Sequence, residues 1–480
     1  GDFTAVQAAI DSITDASAIN PTLVWVAPGV YSEMVTMKPH VHLQGAGQEA
    51  TVISSSASNF GMPPTTASLT LAEHAGLRDL TIENEGTGTY SVALIATDGT
   101  TETVVADVTV RTQGSGYSNY GIYLSGNGTG VTLQDATVVA ENGTYNRGLH
   151  NASGARATLH GGTFIGRGGS AAYAINNDGT GTTLEATSIT ALCENGDFNY
   201  GLYNTSGGQA TLEGSSLTAQ GGDYARGIYN FQNGTKLEAT DVAVLGAGSQ
   251  GSFGLLNNSG ASAILYGGAY EGRGGNDAYG IRNRGNGTTL EASSATVLAR
   301  DGATTNSGLQ NLEGARSTLL GGTFTGRGGS EATGLGNRDS GTVLEATSIT
   351  ASGEDASQTN RGLYNRIAAE TTMHGGVFTG RGGAYAWGIV NRDTNTTLKA
   401  TSIVALGEDA SDENSGLYNS FSGVAMIDSS QLRGATHALD HGTGTVRVGV
   451  TQLDGGANSS SGTLTCFQVY DENYAAHTCP

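Results

Sequence analysis

The sequence is poor in several features that usually indicate a function. It contains 22 basic and 43 acidic residues, a net charge of −21, and its positive charge is nearly all arginine because only three lysines occur. That balance speaks against nucleic acid or an anionic membrane as partner, since both bind basic surfaces. No apolar run is long enough to span a membrane and no signal peptide is recognisable. The abrupt start at Gly1 suggests a processed or trimmed precursor.

Helical periodicity is missing too, except at the N-terminus. Phe3, Val6, Ile10 and Ile13 recur at helical spacing. We therefore predict an amphipathic helix within residues 1–20, and Asp2 is a plausible N-cap. Such a helix would cover the open apolar end of the structure that the rest of the sequence indicates.

Cysteine is scarce, with three residues in the chain. Cys466 and Cys479 stand in the non-repetitive segment 466–480, where their spacing predicts a disulfide-closed C-terminal cap and an oxidising compartment. Cys193 has no evident partner. It is expected to be a passive thiol, and the alternatives are an intermolecular link or a reactive role.

What the chain does contain is a repeat. The phrase Gly-(Leu/Ile)-x-Asn returns every 26 to 28 residues between Gly121 and Gly416, although the copy at Gly121 lacks the asparagine and the copy at Ala174 begins with alanine. Around it, short phrases alternate apolar and polar residues and are separated by glycine, as strands with one buried face require. Three strands in about 27 residues predict one coil of a right-handed parallel β-helix. We expect an all-β fold of about 15 coils in one elongated domain.

The asparagine of each phrase has the same parity as the buried leucine, so it should point inward and stack from coil to coil as a structural ladder. The residue between them varies freely and should point outward. The ladder asparagines are Asn151, Asn177, Asn204, Asn230, Asn257, Asn283, Asn311, Asn337, Asn365, Asn391 and Asn419.

The repeat is also doubled. Alternate coils carry Gly-Arg-Gly-Gly, which places Arg167, Arg273, Arg327 and Arg381 at multiples of 53 or 54 residues. The repeating unit is therefore a pair of coils. It extends over residues 121–422, between less regular coils at 21–120 and degenerate coils at 423–465.

The first hundred residues resemble the start of pectin methylesterases, in the pectin-lyase-like β-helix superfamily. The matching text is 2–11, the Gly-x-Tyr-x-Glu signature at Gly29, Tyr31 and Glu33, 43–47, and 77–84. The resemblance implies the fold. The catalytic motifs that it would also imply are not found downstream: Ser91 stands where the family has a glutamine, and nothing matches the motifs that carry the two aspartates and the arginine.

Metal and acid–base chemistry have few candidates. The densest acidic residues are Glu354, Asp355, Glu408, Asp409, Asp412 and Glu413, in equivalent loops two coils apart. Weak calcium binding and ordinary solvated charge both fit this pattern. No other cofactor is expected.

A catalytic site normally interrupts a repeat, because chemistry needs unlike residues converging. The regularity of 121–420 favours a secreted, non-catalytic β-solenoid with a structural or adhesive role in an extracellular surface, matrix or filament. Its partners would be further copies or other extracellular proteins, contacted through Arg167, Arg273, Arg327 and Arg381. The alternative is a carbohydrate-binding or polysaccharide-active protein whose outward Tyr203, Tyr229, Tyr364 and Tyr418 stack on sugar rings.

Overall fold

The computed structural model describes residues 2–61, 64–97 and 99–477. The chain is an all-β parallel solenoid of about 14 turns, which confirms the predicted fold class. It divides into two compact units, Gly1–Glu238 and Ala239–Pro480. In each unit a coil contributes a first, a second and a third strand, and every strand pairs in parallel with the corresponding strand of the next coil.

Among the residues that the structure describes, the first unit contains eight strands of each kind, and the strand Lys236–Thr240 spans the division between the units. Its first strands are Thr22–Trp25, Val41–Gln44, Gly76–Arg78, Thr103–Ala106, Gly130–Gln134, Arg156–His160, Thr183–Thr187 and Gln209–Glu213. Its second strands are Gly29–Ser32, Thr51–Ser55, Thr81–Asn84, Thr109–Thr112, Thr137–Glu141, Thr163–Arg167, Thr190–Glu194 and Ser216–Gln220. Its third strands are Val35–Thr36, Leu69–Thr70, Tyr90–Thr97, Ser118–Ser125, Tyr145–Ala152, Ala171–Asp178, Phe198–Thr205 and Tyr224–Phe231.

In the second unit three coils have a first and second strand fused into one: Val343–Glu354, Glu370–Arg381 and Thr397–Glu408. The separate first strands are Ser262–Tyr266, Thr289–Ser293, Arg316–Leu320, Gly423–Asp428, Gly444–Gly449 and Thr463–Phe467. The separate second strands are Ala243–Ala247, Ala269–Arg273, Thr296–Arg300, Thr323–Arg327, Gln431–Gly434 and Gln452–Asp454. The third strands are Gly251–Asn258, Asp277–Arg284, Thr305–Leu312, Glu331–Arg338, Thr359–Arg366, Tyr385–Arg392, Glu413–Ser420, His437–His441 and Ala457–Ser459.

The N-terminal helix is present but shorter than the periodicity suggests. It runs over Val6–Asp11, with Val6 and Ile10 buried. Asp2 does not cap it: the N-cap position is Ala5, which offers no side-chain acceptor. Glu33 takes that role from a distant part of the chain, and its carboxylate accepts hydrogen bonds from the backbone N–H of Val6 at 2.8 Å and of Gln7 at 2.9 Å. The glutamate of the Gly-x-Tyr-x-Glu signature is thus structural here.

The core consists of columns of equivalent residues. Leu149 pairs with Ile175, and Ile175 with Leu202, and all three are fully buried. Each column therefore buries apolar area in every coil, and this burial stabilises the fold by roughly 25 cal/mol for each Å² removed from water. Because side chains alternate along a strand, this inward register fixes which residues of the third strands face outward.

The asparagine ladder is confirmed, and its members are fully buried. Within each unit a ladder amide donates through Nδ2 to the Oδ1 of the next asparagine and to a backbone carbonyl of the following coil, as Asn151 and Asn177 do in the first unit and Asn337 does in the second. In the second unit the distance from Nδ2 to the next Oδ1 is 2.8 Å between Asn257 and Asn283. It is 2.9 Å between Asn283 and Asn311, and again 2.9 Å between Asn311 and Asn337. The ladder ends at Asn419, whose Nδ2 lies 3.3 Å from Nδ1 of the buried His441.

A second set of buried asparagines, which the sequence reasoning missed, occupies the second position of the third strand in most alternate coils. The Asn306 amide both donates to and accepts from Gly302, and it donates to the Gly328 carbonyl of the next coil at 2.9 Å. Asn146, Asn199 and Asn360 do the same. The coils between carry alanine at this position. The signal was visible as an asparagine that alternates with alanine at a fixed distance before the repeat glycine.

Replacing Asn283 by alanine should lower the free energy of unfolding by about 2 kcal/mol or more, because buried amide and carbonyl groups lose their partners. Chemical denaturation would measure the loss. Asn286→Ala is the matched control, since Asn286 lies exposed in the same coil. Equal stability of the two variants would contradict a stabilising ladder.

Replacing Glu33 by alanine should destabilise the N-terminal helix by about 1 kcal/mol, because two helix N–H groups lose their acceptor. Hydrogen exchange at Val6 and Gln7 would report this as faster exchange. Asp2→Ala should leave the exchange unchanged, and the reverse pattern would restore Asp2 as the cap.

Candidate functional site

The outer side of the third strands in the first unit carries a ladder of aromatic rings. The rings of Tyr173 and Tyr200 stack with centroids 4.8 Å apart and planes within 8°. Tyr203 and Tyr229 follow in the neighbouring column, 5.4 Å apart. All four side chains are partly exposed. We call these four residues the tyrosine ladder.

Two arginines lie over these rings. The guanidinium carbon of Arg147 is 4.9 Å from the Tyr173 ring centroid, and that of Arg226 is 5.2 Å from the centroids of both Tyr200 and Tyr229. A cation over an aromatic face is attracted by the ring quadrupole. Burial is the main cause that raises the pKa of Tyr173, Tyr200 and Tyr203, so their hydroxyl groups stay protonated at neutral pH. The ladder therefore offers ring faces, hydroxyl groups and positive charge together.

The aromatic column continues towards the N-terminus, but there it is covered. Tyr120 and Tyr123 are each only 3% exposed and pack with Ala67, Val92 and Ile95. Ala67 belongs to the connection between the strands Thr51–Ser55 and Leu69–Thr70. The accessible part of the aromatic column thus begins beyond Tyr120 and Tyr123.

At the boundary of the covered part lies His150, which packs against the rings of Tyr120 and Tyr123. Its Nδ1 is 3.0 Å from the Asn176 amide. Burial, and secondly the charge of Arg147, lower the pKa of His150 to about 3, so the imidazole is neutral at ordinary pH. A neutral, buried imidazole fills space and bonds its neighbour.

In the second unit the outer side of the third strands contains a cleft of about 200 Å³. We call it the Gly336 cleft, after the glycine on its floor. Tyr279 and Tyr364 line it on opposite sides, and Arg338, Arg361, Arg366 and Glu331 supply its charges. Gln310, Ser307, Thr305 and Thr333 add amide and hydroxyl groups.

Tyr203 and Tyr229 lie in the tyrosine ladder, and Tyr364 lines the Gly336 cleft. Tyr418 stacks on Trp387 with centroids 5.4 Å apart. The sequence reasoning missed the cleft, and its only signal was the unusually small residue Gly336 at the variable outward position of the repeat phrase.

The four arginines of the Gly-Arg-Gly-Gly coils form ion pairs within the chain. The nearest nitrogen–oxygen distances are 2.7 Å from Arg167 to Glu194, 3.3 Å from Arg273 to Asp301, 2.8 Å from Arg327 to Asp355 and 2.9 Å from Arg381 to Glu408. Their charge is therefore largely matched by the next coil. Contact of these arginines with another molecule stays a prediction.

The acidic loops considered for calcium are partly occupied by the same ion pairs. Asp355 pairs with Arg327, and Glu408 and Asp409 both pair with Arg381. Over residues 2–61, 64–97 and 99–477, no group of three or more His, Cys, Asp or Glu side chains is arranged to hold a metal ion. The proposed calcium binding has no further support from the geometry.

Cys193 is a buried free cysteine. Its Sγ lies 2.9 Å from the Tyr200 carbonyl oxygen, and burial raises its pKa to about 12. This environment is that of an unreactive thiol. Cys479 lies outside the described residues, so the disulfide with Cys466 stays a prediction.

Fold and site together define a parallel β-solenoid with an aromatic and arginine-rich outer face. No family model and no curated protein matches the chain. Its structural neighbours include pectin methylesterases and other β-helix proteins. A pectin methylesterase from Yersinia enterocolitica is 13% identical with a TM-score of 0.32, over 50% of this chain and 79% of that one.

Two further neighbours extend over nearly the whole chain. The AlgE4 A-module, a mannuronan C-5 epimerase of Azotobacter vinelandii, is 13% identical with a TM-score of 0.28, over 99% of this chain and 94% of that one. The Streptococcus pneumoniae surface protein and adhesin PfbA is 9% identical with a TM-score of 0.21, over 97% and 93%. These likenesses concern the fold alone. Within the part of the chain that the structure describes, no helix is long and apolar enough to cross a membrane.

The lowered pKa of His150 predicts a pH dependence of stability. Between pH 6.5 and about 3 the unfolded chain binds a proton that the folded chain excludes, so the stability from this group is complete above pH 6.5 and is lost as the pH falls. His150→Asn should flatten the decline of unfolding free energy between pH 6.5 and 4.5.

Denaturant titrations at several pH values would measure that slope, with the exposed His160→Asn as control for the substitution itself. Burial also lowers the pKa of His441, which adds to the loss of stability at low pH by the same amount in all variants. A His150→Asn slope equal to that of the wild type would contradict a neutral, buried His150.

Proposed function

We propose that this protein is a non-catalytic β-solenoid with an adhesive role at an extracellular surface, and that it holds its partner along the outer side of the third strands. The observation that carries the proposal is the tyrosine ladder. Its rings are pre-stacked and partly exposed, so binding a partner there costs little ordering of side chains.

The composition of this face supports the proposal. Tyrosine and arginine are the residues that most often dominate binding energy at interfaces, because each combines a large contact area with a polar group. Along the coil stack Arg147 and Arg226 flank the stacked pair Tyr173 and Tyr200, and neighbouring groups are about 5 Å apart. A regular spacing of one coil, about 4.8 Å, suits an extended partner more than a compact one.

The second candidate, binding of a carbohydrate polymer, is favoured by the same rings. Sugar rings have apolar faces that stack on tyrosine, and their hydroxyl groups match the protonated tyrosine hydroxyls. An adhesive role and glycan recognition are compatible, because the partner surface can itself be a glycan.

The test is a binding screen against arrays of glycans and immobilised extracellular proteins. The double variant Tyr203→Ala, Tyr229→Ala should weaken capture at least about tenfold, because two stacking rings are lost from one surface. Tyr266→Ala is the matched control, since Tyr266 is 47% exposed on a first strand of the other unit. Equal loss in both variants, or no capture of any partner by a protein that also stays monomeric at high concentration, would overturn the proposal.

A further inference from the structure

The outward column that contains Tyr364 and Gln310 is interrupted at Gly336. Its neighbours in successive coils are Arg282, Gln310, Tyr364 and Val390. The backbone does not require glycine there: φ is not in the left-handed region, and an added Cβ would find no atom closer than 3.7 Å. The glycine therefore opens space on the surface without relieving any strain.

Polar groups around this space lack partners. Arg361 is only 8% exposed, and although its Nη1 donates to Glu331 at 2.9 Å, its Nε has no acceptor among the described residues. Oε1 of Gln310 is buried without a donor, whereas the Nε atoms of Arg338 and Arg366 make no hydrogen bond but each lie within ion-pair distance of a carboxylate. Buried polar atoms left unpaired cost free energy, so two residues that line one cleft and each hold such an atom, Arg361 and Gln310, indicate a ligand that bonds them.

The charge of the cleft is opposite to that of the protein. Three arginines and one glutamate line it, in a chain with a net charge of −21. The carboxylates paired with Arg338 and Arg366 are not close, at 3.8 Å for Asp339 and 3.5 Å for Asp393, and Arg366 also donates through Nη1 to the Tyr364 hydroxyl at 2.8 Å. Planar guanidinium groups bind carboxylate and sulfate through paired hydrogen bonds, so the cleft suits an anionic group.

The residues that line the cleft indicate a ligand with more than an anionic group. Tyr279 and Tyr364 stand three coils apart, roughly 14 Å along the stack. In the two intervening coils Ser307 and Thr333 occupy the column that leads from Tyr279 to Arg361, and Gln310 and Gly336 occupy the column that leads to Tyr364. Aromatic walls with interspersed hydroxyl and amide groups are the surroundings of a ring that carries both apolar faces and hydroxyl groups.

We propose that the Gly336 cleft binds one anionic sugar unit of a glycan, with the carboxylate or sulfate held by Arg338, Arg361 and Arg366 and the ring lying over Gly336 beside Tyr364. This inference rests on the proposed function, since it specifies the partner for the outer face of the second unit. An acceptor on the sugar satisfies the Arg361 Nε, and a sugar hydroxyl donates to Oε1 of Gln310.

The test uses the full chain and three tetrasaccharides on one backbone: cellotetraose, its form oxidised to carboxylates at C6, and its form sulfated at O6. Calorimetric titration should show binding of one or both anionic forms and at least about tenfold weaker binding of cellotetraose, because the charge-assisted hydrogen bonds are lost. The form that binds more tightly shows whether the cleft prefers a carboxylate or a sulfate. Tetraglutamate is the probe for an acidic peptide, and its binding as tightly as the sugars would overturn the assignment to a glycan.

Two variants locate the site. Gly336→Phe fills the cleft where the backbone accepts a side chain, and Arg366→Gln removes one charge; each should weaken anionic tetrasaccharide binding at least about tenfold. Arg392→Gln is the matched control, because Arg392 pairs with the same Asp393 as Arg366 but does not line the cleft. Thermal melting would verify that all three fold.

Wild-type affinity in Gly336→Phe, or equal weakening in Arg392→Gln, would overturn the site. Failure of this inference is distinguishable from failure of the proposed function. If the tyrosine ladder variant loses surface capture while no tetrasaccharide binds the cleft, the function stands and the cleft assignment falls. If neither the surface nor any tetrasaccharide is bound, both fall.

Discussion

The hydrogen bonding of buried amides is the constraint on which the rest of this structure depends. A primary amide inside an apolar core must have its donors and its acceptor satisfied, and a single coil cannot do this alone. Stacking solves the problem, because Asn283 receives a hydrogen bond from Asn257 and donates to Asn311 and to the Arg316 carbonyl. Each coil therefore completes its neighbours, and a coil displaced by one residue would leave several buried groups unpaired.

The doubling of the repeat follows from the same chemistry. The Asn306 amide reaches into the next coil and bonds the carbonyl of Gly328. Gly329 follows with φ +72°, and a Cβ there would meet Nδ2 of Asn306 at 2.7 Å. Asn360 and Gly383 repeat the arrangement two coils later, with a distance of 2.8 Å. A coil that contains this asparagine thus requires a glycine turn in the next coil. The smallest repeating unit that supplies both the asparagine and the glycine turn is therefore a pair of coils.

Because the interior fixes the register, the outer residues form columns whether or not they contribute to stability. Columns of tyrosine and arginine bring like groups to a constant spacing, as in the tyrosine ladder. A single departure from a column then creates a local shape, as Gly336 does between Gln310 and Tyr364. Substitutions on this outer face change stability little, because the inward ladder does not depend on which residue points outward. A solenoid can therefore hold binding groups here without disturbing its core.

By itself the sequence determined the solenoid, the coil length, the inward leucine and asparagine columns and the presence of an N-terminal helix. These follow from local periodicity, which a linear sequence displays directly. Tertiary structure decided what depends on distant residues meeting: the capping of the helix by Glu33 in place of Asp2, the ion pairs that occupy Arg167, Arg273, Arg327 and Arg381, and the packing of Tyr120 with Ala67. The Gly336 cleft belongs to this second group, because its walls come from coils up to 87 residues apart, Tyr279 to Arg366. Their side chains converge only when the coils are stacked, so no local pattern marks them.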